Sequence, residues 1–344
     1  MNIIESKEYR EQVRRIARTI PERDCTVLIT GASGLIGSCL TDVLLDASNN
    51  LNNKIKVIVL GRNEEILRKR FSYANPSTIR IIAQDIRNPL EIQEPIDYII
   101  NSASNADPRS YSLYPVETIL TNVYGNNNLL EYCKKNKKTR ILLTSTFEVY
   151  GKIDGCDIFQ EDSSGEIDLN AIRSCYPESK RCAENLLRCY VKEYGVDGLI
   201  ARLCSVYGPT MLKDDSKAHA EFIRNGIEGK DIRLISDGKQ VRTYCYVMDA
   251  VSAILVVLFR GNKGESYNIS NEKSVASIAE VADTVANIVG TNVIYALPEQ
   301  EISYSRPQNC ILDNHKLRDM GWSGQYTLKE GLSSTIHILK EILS

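Results

Sequence analysis

A tyrosine and a lysine four positions apart, in the segment Tyr176-Pro-Glu-Ser-Lys180, are the clearest chemical signal in the sequence. Side chains at that spacing lie on one face of a helix. Because an ammonium group beside a phenol favours the phenolate, Lys180 is expected to lower the pKa of Tyr176 and make it a proton acceptor. An exposed pair on a helix surface is the alternative, since this spacing is common by chance.

A hydroxyl and a carboxylate, Thr146 and Glu148, follow an apolar run of strand length at Ile141–Thr144. In a sheet of parallel strands, ligands bind at the carboxyl ends of the strands. The segment Ser145-Thr-Phe-Glu148 therefore places further proton-transfer groups where a tyrosine–lysine pair could act with them.

Three glycines, Gly31, Gly34 and Gly37, follow the strand predicted at Thr26–Thr30 and run into a helical pattern at Leu35–Leu45. In such a turn the first glycine permits the tight bend and the second lets the backbone approach a pyrophosphate. The third allows the helix to pack closely on the strand. This position at the end of the first strand predicts dinucleotide binding rather than a purely structural turn.

Two residues bear on which dinucleotide binds. The second predicted strand ends at Gly61-Arg62, without the acidic residue that pairs with a ribose 2′-hydroxyl. Arg62 could stack on the adenine or pair with a 2′-phosphate, so NAD and NADP both stay open. Asp85 is placed to reach the adenine amino group, with a helix cap or turn as its alternative. The small side chains of Asn101-Ser-Ala-Ser104 would let a cofactor lie against the backbone.

Short apolar segments alternate with helical ones over residues 25–208, which predicts an α/β fold with a Rossmann-type, doubly wound parallel sheet. A smaller C-terminal α/β substrate lobe is expected over 209–344, with segments at about 240–260 returning to the first domain. Residues 1–24 show helical apolar spacing, which predicts an amphipathic helix outside the fold. The predicted strands are Thr26–Thr30, Ile55–Leu60, Ile79–Ala83, Tyr98–Ser102, Ile141–Thr144 and Leu199–Leu203.

Composition and charge argue against several classes of protein. The 344 residues carry a formal net charge of −2, so no basic excess is present to neutralise nucleic-acid phosphates. No apolar run approaches the ~20 residues that span a bilayer, and the N-terminus lacks the apolar core of a secretory signal. The ten cysteines form no C-x-x-C pair and are not grouped with the three histidines, so no metal site is expected. We therefore expect a cytoplasmic enzyme with reduced, buried thiols, including a helical stripe at Cys175, Cys182 and Cys189, and no nucleic-acid or membrane partner.

The chain from Val27 to about Ile342 resembles the extended short-chain dehydrogenases/reductases of the nucleotide-sugar epimerase/dehydratase group. Within that group it is most similar to the UDP-glucuronate decarboxylases, also called UDP-xylose synthases. The resemblance rests on a substrate loop, an S-T-x-E-V-Y-G strand end, an R-x-C-Y-x-x-x-K-R-x-A-E helix and a segment whose arginine contacts the substrate diphosphate. In this chain those segments are Ala103–Tyr111, Ser145–Gly151, Arg173–Glu184 and Asp237–Tyr246.

The resemblance implies a role for each reactive residue. Tyr176 would remove the proton of the sugar 4-hydroxyl as hydride leaves C4. Lys180 would hold the cofactor ribose, and Thr146 would hydrogen-bond the 4-oxygen. Glu148 would act as acid or base at the neighbouring carbon once a 4-keto sugar has formed.

The resemblance also implies two sets of binding residues and a nucleotide-sugar substrate, expected to be UDP-linked. The set implied for NAD is Gly31, Ser33, Gly34, Leu35, Ile36, Gly37, Arg62, Asp85, Ile86, Ser102, Ala103, Ser104, Asn122, Thr144, Tyr176, Lys180 and Val206. The set implied for the substrate is Asn105, Arg109, Tyr111, Glu148, Ser205, Arg242 and Arg306.

Departures from the family patterns bear on the reaction. Phe147 stands where a 4,6-dehydratase carries an aspartic acid, and simple 4-epimerases usually lack Glu148. The first expectation is therefore decarboxylation of a UDP-glucuronate-type substrate, with epimerisation at C3, C4 or C5, or 4,6-dehydration, as alternatives. A regulatory protein that senses a dinucleotide is the non-enzymatic alternative. Arg109 could meet a carboxylate on the substrate or pair with Asp107 at the surface.

The same resemblance implies a homodimer whose seam is formed by helices at about 115–134 and 179–194. Packing of these helix faces on the sheet is the alternative for some of the side chains. The apolar side chains that could form the seam are Leu120, Val123, Leu129, Leu130, Tyr132, Ala183, Leu186, Leu187 and Tyr190.

Overall fold

The computed structural model describes residues 2–50, 54–296 and 309–343, and the strands in those ranges form one large and three small sheets. The strands are β1 Cys25–Thr30, β2 Ile55–Gly61, β3 Ile79–Ala83, β4 Tyr98–Asn101, β5 Arg140–Thr146, β6 Ile158–Phe159, β7 Asp197–Leu203, β8 Ser205–Tyr207, β9 Ile232–Leu234, β10 Val241–Tyr246, β11 Ser266–Ile269, β12 Val275–Ser277, β13 Val293–Tyr295 and β14 Ile311–Leu312.

The α-helices cover the large sheet on both faces and pack beside the small sheets. They are α1 Lys7–Ala17, α2 Leu35–Asn50, α3 Glu64–Arg70, α4 Pro108–Leu113, α5 Pro115–Lys135, α6 Cys175–Tyr194, α7 Ala218–Ile227, α8 Val247–Arg260, α9 Ile278–Val289, α10 His315–Asp319 and α11 Leu328–Leu343.

The large sheet has seven strands in the order β11-β7-β5-β4-β1-β2-β3, and every pairing in it is parallel. This confirms the predicted Rossmann-type fold, and all six predicted strands are present. The strand expected at Ile141–Thr144 extends to Arg140–Thr146, which carries the strand into the site. The seventh strand, β11, was not predicted, because its four residues include Ser266 and Asn268 and resemble a turn in sequence.

Alternate residues of the strands enter two separate apolar layers. On β1, Val27 and Ile29 pack in the layer that includes Leu44 of α2 and Val251 of α8. Leu28 points to the opposite face, where α5 and α6 cover the sheet. This alternation is the two-residue period of a strand, and burial on both faces explains why the strands are continuously apolar.

Helix α1 is an integral part of the first apolar layer and not an outer cover. Tyr9 and Val13 are fully buried, and the Tyr9 hydroxyl donates to Asp42 of α2 at 2.6 Å. Gln12 donates to Ser334 of α11 at 2.7 Å and accepts from the Tyr246 hydroxyl at 2.7 Å. The N-terminal helix therefore connects the first sheet to the C-terminal helix and to β10.

The three-stranded sheet is built around β10, which pairs in parallel with β8 and antiparallel with β12. Helices α7 and α9 pack beside these strands, and β9 pairs with β13. Helix α8 follows β10 directly and lies against α2 and the large sheet. Arg242, the arginine predicted to contact the substrate, therefore lies on a strand that continues directly into a helix packed on the large sheet.

The structure corrects the expected burial of the cysteine stripe and favours the alternative role for much of the expected dimer seam. Cys182 and Cys189 are exposed on α6, although Cys175 is buried, so the stripe of three cysteines is not buried as a whole. Most of the side chains expected to form a dimer seam are instead covered by the sheet within one chain. The buried ones are Leu129, Leu130, Tyr132, Ala183, Leu187 and Tyr190.

Candidate active site

The glycine turn at the end of β1 fits closely against the backbone of β4. Gly31 has φ +63°, and a Cβ on it would lie 2.6 Å from the carbonyl oxygen of Ser102. A Cβ on Gly37 would lie 2.5 Å from the carbonyl oxygen of Gly31. Side chains are therefore excluded from this turn, and α2 begins at Leu35 with its N-terminal amides toward it.

Several polar atoms around this turn are buried and have no hydrogen-bond partner among the residues that the structure describes. They are the Ser102 and Ser104 hydroxyl oxygens and the side-chain oxygen of Asn122, whose amide nitrogen donates to Ser179 at 2.9 Å. Buried polar atoms that lack partners are costly unless a ligand or water satisfies them. The glycine cradle and these three residues together fit a polar, phosphate-bearing cofactor.

The remaining residues assigned to the cofactor lie along the same strand ends. The Thr144 hydroxyl donates to the Asn101 carbonyl at 2.9 Å, and Thr210, on the other side of the turn, donates to the Leu35 carbonyl at 2.9 Å. Ile86 and Val206 are buried. Ser33, Ile36 and Ala103 belong to the turn and to the segment facing it.

Arg62 and Asp85 each have a charged partner in the protein. Arg62, just after β2, forms an ion pair with Glu117 of α5. Asp85 accepts from the Arg87 side chain at 2.6 Å, and its hydrogen bonds with Arg87 hold its pKa below the usual range. Asp85 also accepts from the Arg87 backbone amide at 2.9 Å, which is the turn arrangement given as its alternative role.

Tyr176 and Lys180 lie one turn apart at the start of α6, and both are buried. The Lys180 ammonium donates to the Thr144 carbonyl at 3.0 Å, which fixes it beneath the end of β5. Burial lowers the pKa of Lys180 to about 8, although the nearby Glu184 carboxylate opposes the shift. The lysine is therefore directed at the strand end where the cofactor residues meet.

The expected lowering of the Tyr176 pKa is wrong. Burial raises the pKa of Tyr176 well above its usual value, and the negative charge of Glu148 raises it further, while the hydrogen bond with Thr146 acts in the opposite direction. The Tyr176 ring stacks on the ring of Tyr111, with centroids 5.2 Å apart and an interplanar angle of 11°. Desolvation is the largest of these causes, so the pKa of Tyr176 is raised rather than lowered.

Thr146 is the last residue of β5 and caps the short helical turn Phe147–Tyr150, which carries Glu148. Its hydroxyl oxygen accepts from the Glu148 amide at 3.2 Å. Burial raises the pKa of the Glu148 carboxyl, against the lowering effect of the charges of Arg173, Arg242 and Lys217. The predicted catalytic set of Tyr176, Lys180, Thr146 and Glu148 is thus assembled from β5 and the start of α6.

A buried ion pair behind the site holds α6 to the sheet. Glu184, two helical turns after Tyr176, accepts from the Ser145 hydroxyl at 2.6 Å and from Arg202 of β7 at 2.7 Å. Burial raises the pKa of Glu184, but the hydrogen bonds from Arg202 outweigh it and leave the pKa lowered. The pair fixes the helix that carries the tyrosine and lysine relative to β5.

Two residues near the catalytic set were not predicted as site residues. Arg173, three residues before Tyr176, contacts Glu148 at 3.3 Å and the Tyr111 hydroxyl at 3.1 Å. Its place at the start of the R-x-C-Y segment was the available signal. His219 of α7 is buried, its Nε2 has no hydrogen-bond partner within the described ranges, and burial lowers its pKa to about 4. A single histidine in a helical pattern gave no signal for it.

Two residues predicted to bind substrate, Arg242 and Ser205, lie on the paired strands β10 and β8. The Arg242 guanidinium lies 6.0 Å from the centre of the Phe147 ring and donates to Gln240 at 2.7 Å. Ser205 is buried on β8, opposite Tyr244 of β10.

The substrate loop holds the other predicted sugar contacts. Asn105 donates weakly to Glu117 at 3.4 Å. Asp107 caps α4 by accepting from the Arg109 amide at 3.2 Å, and within the described ranges the exposed Arg109 guanidinium has no ion-pair partner. Arg306 lies outside the described residues.

The described part of the chain contains neither a candidate metal site nor a candidate membrane-spanning helix. No group of three or more His, Cys, Asp or Glu side chains could hold a metal ion there. Among the helices so described, none is long and apolar enough to cross a bilayer.

The sheet order, the glycine turn and the tyrosine–lysine pair define an extended short-chain dehydrogenase/reductase. The chain matches the model of the NAD dependent epimerase/dehydratase family over residues 27–270. UDP-glucuronic acid decarboxylase 3 of Arabidopsis thaliana is 34% identical over 311 residues, which cover 89% of this chain and 86% of that protein. This chain therefore belongs to the NAD dependent epimerase/dehydratase family.

Solved structures agree with this assignment. UDP-glucuronic acid 4-epimerase of Bacillus cereus, in complex with UDP-glucuronic acid and NAD, is similar with a TM-score of 0.77 and 25% identity, covering 92% of this chain and 99% of that one. UDP-glucose 4-epimerase of Thermotoga maritima is similar with a TM-score of 0.79 and 24% identity, covering 93% of this chain and 100% of that one. The second likeness shows the fold alone.

Proposed function

We propose that this protein uses NAD to decarboxylate UDP-glucuronate through a 4-keto-sugar intermediate. The observation that carries the proposal is the joint placement of Tyr176, Thr146 and Glu148 at the end of β5, beside a glycine turn that fits a dinucleotide. The decarboxylase name of the Arabidopsis relative supports the choice of reaction.

Proton transfer at the sugar 4-hydroxyl is assigned to Tyr176. Thr146 is hydrogen-bonded to this phenol and orients it, and its hydroxyl would also hydrogen-bond the 4-oxygen of the sugar. NAD, when bound, supplies the hydride acceptor and donor, so the redox change is internal. Lys180, Thr144 and the orphaned Ser102 and Ser104 hydroxyls would hold the cofactor against the strand ends.

The second stage follows from the chemistry of a ketone at C4. A carboxylate on C5 then belongs to a β-keto acid, which loses CO₂ readily. Glu148 is placed to act as the acid or base at this neighbouring carbon. Phe147, half-buried and close to Arg242, puts no carboxyl where dehydration of a 6-hydroxyl needs an acid. Decarboxylation thus needs only the reactive groups that are present at this strand end, whereas 4,6-dehydration needs a further acid at the position of Phe147.

Incubation with UDP-glucuronate and NAD, followed by mass spectrometry and NMR, tests the proposal. A UDP-pentose lighter than the substrate by one CO₂ is the expected product. New sugar signals at unchanged mass would instead establish epimerisation, which the likeness to the Bacillus cereus epimerase makes the second candidate. Bound cofactor without turnover of any nucleotide sugar would favour the dinucleotide-sensing alternative.

The cofactor preference is proposed to be NAD over NADP. Glu117 is paired with Arg62, so a carboxylate stands beside the cation that could otherwise receive a 2′-phosphate. Like charge at close range disfavours the phosphorylated cofactor.

The homodimer is also kept as a proposal, with a revised seam. Several large apolar side chains remain exposed at the start of α5 and just before it, namely Leu113, Tyr114, Val116, Ile119 and Tyr124. Clustered exposed apolar side chains mark interaction sites. Light scattering at micromolar concentration should give twice 38.6 kDa for the wild type and a smaller mass for Val116→Asp. A wild-type mass of 38.6 kDa would contradict the proposal.

A further inference from the structure

We propose that Arg173 is a positioning residue that holds the Glu148 carboxylate and the Tyr111 ring in fixed relation to Tyr176. The proposal rests on the proposed function for its kinetic meaning. It can be tested without turnover, because it concerns the state of Glu148 in the protein itself.

Arg173 is in contact with both sides of the proton-transfer set. Its Nη2 lies 3.1 Å from the Tyr111 hydroxyl and 3.3 Å from Oε2 of Glu148. Its guanidinium carbon lies 5.8 Å from the centre of the Tyr111 ring, which in turn stacks on Tyr176. One side chain therefore connects the substrate loop, the strand end of β5 and the start of α6.

The backbone that carries Arg173 is fixed independently of its side chain. Residues Ile172–Ser174 form a short helical turn that leads directly into α6. The Ser174 hydroxyl donates to the Asp168 carbonyl at 2.5 Å, and the Cys175 thiol contacts the Tyr111 carbonyl at 3.5 Å. Because the Arg173 side chain is 44% exposed, replacing its charged end does not open a buried cavity.

The charge of Arg173 acts on a carboxylate that burial disfavours. Burial raises the pKa of Glu148, and Arg173 is the largest of the charges that lower it. Without Arg173, the pKa of Glu148 rises further, and the carboxyl loses the donor that fixes its orientation. The other titratable or charged groups that face Glu148 are Tyr111 of α4, Cys175 and Tyr176 of α6, Lys217 before α7, Arg242 of β10 and Cys310.

The test compares Arg173→Gln with Arg173→Lys. Glutamine keeps much of the length and removes the charge, so we expect kcat to fall roughly 10- to 100-fold through misplacement of Glu148, with KM changed by less than about twofold. The limb of the pH profile that titrates with Glu148 should move to higher pH. Lysine restores the positive charge but lacks the paired donors of the guanidinium. Arg173→Lys should therefore return the Glu148 limb of the pH profile to its wild-type position and restore only part of kcat.

Arg181→Gln is the matched control. Arg181 donates to the Val149 and Gly165 carbonyls, both at 2.7 Å, and so supports the same loop without touching the Glu148 carboxylate. We expect this variant to lose stability while keeping the wild-type pH profile.

A readout independent of turnover separates this inference from the proposed function. In protein labelled with ¹³C at the glutamate carboxyls, Glu148→Gln assigns the resonance, and its titration is followed in the wild type and in Arg173→Gln. A higher Glu148 pKa in Arg173→Gln supports the inference even if UDP-glucuronate is not converted. An unchanged Glu148 pKa, or equal shifts in Arg173→Gln and Arg181→Gln, overturns it.

Discussion

The cofactor side and the sugar side of the cleft are held in place by different means. On the cofactor side the backbone sets the shape, because Gly31 and Gly37 bring it so close to β4 and to itself that no side chain fits. On the sugar side, long charged side chains from separate elements meet, with Arg173, Glu148 and Arg242 as the main ones. The first region is fixed by steric exclusion and the second by a balance of charges. Substitutions should therefore act in different ways on the two sides.

The largest effect is expected from one atom on the sugar side. Tyr176→Phe removes the phenol oxygen and leaves the ring stacked on Tyr111. Turnover should fall roughly 10²- to 10⁴-fold, which is the usual contribution of a general acid–base group. NAD affinity and thermal stability, measured by titration and by a thermal shift assay, should remain close to those of the wild type. Unchanged turnover would remove Tyr176 from the mechanism.

On the cofactor side, a substitution should act through steric clash with the backbone. Gly31→Ala places a Cβ against the Ser102 carbonyl in a backbone conformation that alanine disfavours, so we expect a loss of more than about 4 kcal/mol in the free energy of unfolding and weak NAD binding. Gly155 also has positive φ, +73°, but a Cβ there would meet nothing within 4 Å. Gly155→Ala should therefore cost only about 1–2 kcal/mol of backbone strain and leave NAD binding intact. Equal losses in the two variants would contradict steric exclusion as the cause.

Lys180 lies between the two regions and is expected to reduce stability. Because burial lowers its pKa to about 8, the folded state binds this proton less tightly than the unfolded chain does. The destabilising contribution of Lys180 to the free energy of unfolding is therefore full below pH 8. It disappears as the pH rises toward the pKa of a lysine in the unfolded chain, about 10.4. Lys180→Met should thus stabilise the protein at pH 7 by on the order of 2 kcal/mol, after the lost hydrogen bond to Thr144 is allowed for, while abolishing turnover.

Denaturant unfolding at two pH values measures this effect. The advantage of Lys180→Met should shrink between pH 7 and pH 10, because Lys180 loses its proton in the folded protein over that interval. Lys192, exposed on the same helix, supplies the control variant Lys192→Met, for which no such pH-dependent gain is expected. A stability of Lys180→Met below that of the wild type at pH 7 would show that the hydrogen bond outweighs burial.

The smallest effect concerns the choice of cofactor. Glu117→Gln frees Arg62 from its ion pair at a largely exposed site, so NADP binding should improve relative to NAD by roughly 2- to 5-fold at low salt, and less at high salt. Glu64, which pairs with Arg68 on the neighbouring helix, provides the control variant Glu64→Gln. An equal change in the two variants would indicate a general loss of negative charge rather than release of Arg62.

The same contrast explains what could be predicted from the sequence. The glycine turn, the six strands and the pairing of Tyr176 with Lys180 depend on neighbours in sequence, and periodicity and glycine spacing reveal those. Arg173 contacts Glu148 only because the short helical turns Phe147–Tyr150 and Ile172–Ser174 lie side by side in the folded chain. No local sequence pattern encodes that contact. The Tyr176 pKa was predicted in the wrong direction because burial is a property of the folded chain.

The N-terminal helix and the dimer seam show the same limit. Amphipathic spacing predicted α1 correctly, but its burial depends on partners far away in the chain, such as Ser334 and Asp42. The apolar stripes of α5 and α6 fit a sheet as well as a second subunit, and the sheet covers most of them. Apolar periodicity identifies a face that will be buried, but not what will bury it.

The proposed function requires that bound NAD would accept hydride from C4, that CO₂ would then leave C5, and that the same hydride would return to C4. Mass spectrometry of the product formed from UDP-glucuronate deuterated at C4, with unlabelled NAD, tests it most directly. We expect a UDP-pentose that has lost one CO₂ and keeps the deuterium, because the same bound cofactor would take up the hydride and return it. A pentose that has lost the deuterium to solvent or to free NADH, or a product that still contains the carboxylate, would contradict it.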